Sequence, residues 1–149
     1  GLPIISPDDG NHLIHASNAT DTGLMLAETV LSEKAFGTSY TLGAPQPITY
    51  DQYVETIARV LGMIPNFVHV SVDTIYQLAK GEIEKENLLN DLTRYDVHFS
   101  MDKFRADYPH FAWEHPIEEA IASFIATQDA MGRLNDPSSV VEEMVLAKL

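Results

Sequence analysis

The chain has 149 residues, 45% of them hydrophobic, and no cysteine; 9 Lys+Arg against 22 Asp+Glu give a formal net charge of −13 at pH 7. That charge repels nucleic-acid phosphates and anionic lipid surfaces, and the lack of thiols excludes disulfides and thiolate metal sites. The length suits one domain with a real core, and with no leader-like start and no apolar run near the roughly 18 residues of a membrane span, a cytoplasmic location is expected.

The chain repeats one rhythm, a short apolar run followed by a capped helix. Leu13-Ile14-His15 precedes a helix over residues 19–31, in which Leu24, Leu26, Ala27 and Val30 are expected to form the buried stripe. Tyr40-Thr41-Leu42 is a second apolar run. After a Pro-containing loop, Thr49-Tyr50-Asp51-Gln52 reads as a capping box opening a helix that runs through Leu61 and stops at Gly62. Phe67 to Val70 is β-like, and Ser71 is the expected cap of a helix over residues 72–80.

The second half is more polar. A helix is expected over residues 82–92, then a short strand at Val97-His98-Phe99. Ser100 caps one or two turns that Pro109 terminates near Tyr108. Pro116 suits a first helical position, with Ile117, Ala120, Ile121, Phe124 and Ile125 as the buried stripe of a helix to about Met131. Asp136-Pro137 opens a last helix to Leu149. Between them, Phe111 and Trp113 are expected to clasp the helix of residues 117–124, leaving Lys103 and Arg105 as surface charge. The fold class is therefore α/β, helix-rich, with about four short strands.

Chemical motifs are sparse. There is no GxGxxG turn to cradle a pyrophosphate, and no GxSxG, HExxH or Walker sequence. His12 and His15 lie three apart on a strand and so face opposite sides, which argues against a shared metal ion; no metal site is expected. His98 and His110 read as backbone-bonded histidines of a packed shell. Tyr76-Gln77-Leu78-Ala79-Lys80 has the Tyr-x-x-x-Lys spacing that lets an ammonium lower a phenol pKa. Without an upstream Ser or a Gly-rich turn, Tyr76 reads as packing and no catalytic residue is assigned. Asn18-Ala19-Thr20 is taken as a chance sequon, and Glu82, Glu84, Lys85 and Glu86 as a solvated helix face.

Taken in order, several pieces resemble the C-terminal part of the extended short-chain dehydrogenase/reductases, the NAD(P)-dependent epimerase/dehydratase family. These are Gly1-Leu2-Pro3-Ile4 with Asp9-Gly10-Asn11, then Leu13 to Asn18, then Ser39 to Gly43. Ile48 to Gly62, Phe67 to Val70 and Phe99 to Ile121 continue the likeness. It covers roughly residues 1–131 and implies a substrate-binding region over residues 1–135, with residues 136–149 an additional helix.

Such a resemblance implies an oxidoreductase or epimerase whose Rossmann half, catalytic Tyr-x-x-x-Lys and NAD(P) site belong to polypeptide before Gly1. This chain would complete or lack the neighbouring Rossmann sheet and be inactive and cofactor-free alone. Its partners would be a small-molecule substrate, the missing N-terminal half and, through exposed sheet edges, copies of itself. Asn11, His15, Asn18 and Arg94 are the implied substrate contacts. Asn11 stands where nucleotide-sugar enzymes carry an Arg, and Asn cannot clamp a diphosphate bidentately. The alternative is a free-standing, non-enzymatic binding module of the same shape.

Overall fold

The computed structural model describes residues 3–79, 82–83, 93–134 and 140–149. It is mixed α/β, with six helices and four short strands among the described residues: β1 (Ile4–Pro7), β2 (Leu13–Ile14), α1 (Ala19–Thr29), β3 (Ile48–Thr49), α2 (Tyr50–Val60), β4 (Phe67–Val70), α3 (Val72–Ala79), α4 (Asp102–Asp107), α5 (Ile117–Ala130) and α6 (Val140–Leu146). The expected helix over residues 82–92 falls mostly outside the described residues, as does the expected boundary near residue 135.

Strands form two pairs. β1 runs parallel to β4 with Ile4 opposite Phe67 and Pro7 opposite Val70, while β2 and β3 pair antiparallel through Leu13–Thr49 and Ile14–Ile48. The two edges of the parallel pair differ. On β1 the amides of Ile4 and Asp8 bond to β4, so alternation turns residues 3, 5 and 7 outward. Pro3 and Pro7 have no N–H, and the Ile5 N–H donates to Glu142 Oε1 of α6 at 3.0 Å. This edge therefore offers no donor. On β4 the outward amides belong to Phe67 and His69, and nothing among the described residues bonds them.

Local sequence explains the helix starts. Thr49 and Gln52 form the expected reciprocal capping box at α2, with bonds of 3.1 and 3.0 Å. Asn18 Oδ1 accepts the Thr20 N–H at the start of α1, and Ser71 Oγ accepts the Thr74 N–H at α3. Each satisfies one amide that has no partner inside its own helix.

Two apolar clusters make the core. Val70, Ile75, Ala79, Ile83 and Val145 join β4, α3 and α6; Met25, Met101, Phe104 and Tyr108 join α1 to α4. Several expectations are corrected here. The inward face of α1 is Asp21 and Met25, whereas Leu24, Leu26 and Val30 lie exposed. Two His–carboxylate pairs set that rotation: His115 meets Asp21 at 2.7 Å and His110 meets Glu28 at 2.9 Å, fastening residues 110–115 along the helix. On α5 only Ile121 is buried, and Phe124 is exposed. The helix rests on α2, tied to it by the Arg59–Glu118 ion pair.

Tyr40–Leu42 and Val97–Phe99 are not strands. Lys103 Nζ donates to the Ser39 carbonyl and Trp113 Nε1 to the Gly43 carbonyl on either side of the first, and in the second the Val97 N–H donates to the Leu13 carbonyl and the Phe99 N–H to His15 Nδ1. Phe111 and Trp113 pack on α4 through an edge-on chain from Phe104 to Phe111 to Trp113.

Candidate functional site

A depression lies between the Pro45–Pro47 loop and residues 98–102, with a volume of about 420 Å3. A second, of about 400 Å3, is a shallower trough beside Met63, Ile64 and Phe67. Gln46, His98, Ser100, Asp102 and Arg105 line the first together with Phe99, and Glu55 and Arg59 contribute to the second.

His15 sets the spacing of that cleft. Its Nε2 sits 2.8 Å from the Ala44 carbonyl, and its Nδ1 accepts the Phe99 N–H at 3.0 Å. One ring nitrogen must then carry a proton and the other a lone pair, which fixes the neutral Nε2–H tautomer. The imidazole thus staples the loop before Pro45 to the segment carrying Phe99. Gly43 fits because a Cβ there would press on Ser17 Oγ at 3.1 Å and approach His15 Nε2.

Arg105 forms the third support. Its Nη2 donates to the Pro45 carbonyl at 2.7 Å, its guanidinium lies 4.9 Å from the Trp113 ring centroid, and Asp102 Oδ1 is 3.9 Å from Nη1. Lys103 similarly lies over Tyr40, at 5.2 Å. The Lys/Arg pair lies at the surface as expected and also straps α4 to residues 39–45.

The four sequence-derived contacts are each engaged elsewhere. His15 supports the cleft. Asn18 caps α1. Asn11 lies in the turn after β1, where its backbone and then its side chain hydrogen-bond Asp9 and hold that carboxyl below the usual range. Arg94 pairs with Asp73 of α3 at 3.2 Å and lies over Tyr95. Of the remaining histidines, His98 is exposed beside His15, and His110 bonds a carboxylate rather than backbone. His12 stands between Asp8 and Asp96, and no group of residues among those described is arranged to hold a metal ion.

A second polar chain could be mistaken for catalytic machinery. The Ser6 hydroxyl donates to Asp51 Oδ1, and Asp51 Oδ2 meets His69 Nε2 at 2.8 Å. Here the carboxylate is central, so no imidazole touches the hydroxyl, and Ser6 is fully buried. A nucleophile needs the imidazole next to the hydroxyl and access to substrate. Ser6, Asp51 and His69 instead clamp β1, α2 and β4 together. Tyr76 is half-buried against the β4–α3–α6 cluster, and Lys80 lies outside the described residues.

Comparison with family models, with curated proteins and with solved structures finds no match for this chain. No helix among the described residues is long and apolar enough to cross a membrane. The described residues define a mixed α/β fold with a polar-lined cleft between the Pro45–Pro47 loop and residues 98–102.

Proposed function

We propose that this chain is the substrate-binding portion of an NAD(P)-dependent epimerase/dehydratase or related oxidoreductase and is not catalytic in isolation. The observation that carries the reading is the parallel β1–β4 pair. Parallel ladders occur almost only inside larger sheets with both faces covered, and this one has two strands among the described residues. The apolar face of α1 adds support: Leu26 and Val30 are 59% and 63% exposed, as a surface awaiting an N-terminal half would be. On this reading NAD(P) supplies hydride transfer from the upstream half, and this chain orients the substrate.

Calorimetric titration of the chain with NADH and with NADPH tests the division of labour. No saturable heat is expected, and saturable micromolar binding would overturn it. Joining the chain to a polypeptide encoded upstream, with a Gly-rich turn and a Tyr-x-x-x-Lys helix, is expected to create dehydrogenase or epimerase activity. An upstream region without those features would favour the non-enzymatic module. Self-association belongs to the same proposal, through the open β4 edge.

A further inference from the structure

The cleft between Pro45–Pro47 and residues 98–102 has a chemistry that points to a ligand class. Its volume of about 420 Å3 lies within the roughly 300–1,000 Å3 usual for small-molecule sites. Flat apolar surface comes from Pro45, Pro47 and the Phe99 ring, which is 51% exposed and stacks with His15 at 5.9 Å.

Arg105 is the donor-only side chain of the lining, while Gln46, His98 and Ser100 can both donate and accept. A guanidinium carries five N–H groups, and the Pro45 carbonyl engages only part of that fork. Stacking on Trp113 holds the plane in place, so little side-chain freedom is left to lose on binding. Asp102 lies beyond hydrogen-bond distance of Nη1 and its side chain is 87% exposed, which makes it a loose counter-ion. Ser100 Oγ accepts the Asp102 N–H, so its own proton remains to donate, and Gln46 brings an amide.

We propose that this cleft binds a small carboxylic acid with a flat apolar body. The carboxylate takes the Arg105 fork and displaces Asp102, while the body lies against Phe99 and the proline rings. The net charge of −13 does not forbid an anion here, because distant charges are screened beyond about 8 Å at physiological salt whereas Arg105 acts in contact. This inference goes beyond the proposed function and uses only residues of this chain, so failure of cofactor or upstream tests leaves it standing, and the reverse.

Trp113 is the only tryptophan and stacks on Arg105, which makes its fluorescence the readout. Titration of the full chain with phenylacetate is expected to give a saturable change in the millimolar range, as suits a ligand of about ten heavy atoms. Phenylacetamide, of the same shape without the charge, is expected to bind about tenfold more weakly. Arg105→Gln is expected to abolish the phenylacetate response, and Asp102→Asn to tighten binding about threefold by removing the competing carboxylate. Amide shifts of Phe99 and Gln46 in NMR spectra give a readout independent of the tryptophan. Should Arg105→Gln fail to fold, the acid–amide comparison and Asp102→Asn decide. Equal binding of acid and amide, acetate as tight as phenylacetate, weaker binding to Asp102→Asn, or no saturation overturns the proposal.

Discussion

The buried hydroxyl of Ser6 donates to the Asp51 carboxylate across 2.5 Å, joining β1 to the first turn of α2. The same carboxylate receives the His69 ring and lies against Gly10. Asp51→Ala strands a hydroxyl that has no access to water, a change that costs about 1–3 kcal/mol. Asp51→Asn keeps an acceptor for Ser6 and is expected to lose less. Urea unfolding of the two variants measures the difference; equal losses would refute the role of the Ser6 bond.

Gly10 has φ of +72°, and a Cβ there would overlap the Asp51 carboxylate. Gly10→Ala therefore combines left-handed backbone strain with displacement of the clamp. It is expected to destabilise by at least about 1 kcal/mol, and by less in an Asp51→Ala background. Thermal unfolding of the single and double variants measures that coupling.

Thr49→Ala removes the acceptor for the Gln52 N–H at the start of α2 and is expected to cost about 1 kcal/mol. Thr49→Ser, which keeps the hydroxyl, should recover most of it. Circular dichroism during urea titration distinguishes the two.

His115 carries the clearest pH prediction. Its hydrogen bond to the buried Asp21 raises its pKa above the ordinary 6.5, against the opposing effect of its own desolvation. A raised folded pKa means that this pair stabilises fully below the unfolded value and that the gain fades as pH climbs through the folded one. The stability of the unaltered chain relative to His115→Asn should therefore decline from about pH 6.5 upward. Urea midpoints of both proteins between pH 5.5 and 8.5 are the check, about one unit below and two above the ordinary histidine value; a constant difference would refute it.

The open edge of β4 predicts self-association. Phe67→Pro removes an outward N–H without touching the bonds to β1, because proline is tolerated on the solvent side of an edge strand. Sedimentation equilibrium is expected to show a dimer for the unaltered chain and a monomer for the variant.

What could be read from the residues follows the range of the interactions. The capping box at Thr49, the Ser71 cap, β4 and the stop at Gly62 depend on neighbours within a few positions, and the chain spells them out. The burial of α1 does not. Its inward face is chosen by His110 and His115, more than 80 positions away, so an apolar stripe at helical spacing pointed to the wrong side. Tyr40–Leu42 and Val97–Phe99 look like strands because they alternate, yet neither is one: Lys103 and Trp113 hold the flanking Ser39 and Gly43 carbonyls, and His15 takes the Phe99 N–H. Among the site residues, His15 was legible as important but not as a staple. Arg105 was visible in the Lys/Arg pair beside the lone Trp, but its stacking on Trp113 is a tertiary fact.

Proline at positions 3 and 7 and the Glu142 carboxylate act together as a stopper on one side of the ladder. Head-to-tail growth needs a donor side and a receiving side of different kinds, β1 of one molecule against β4 of the next, and such stacking never closes on itself. With one side plugged, association through the open side is expected to join like to like across a twofold axis and to stop at two. Unplugging it, by Glu142→Ala with Pro3→Ala, is expected to let association continue into threads.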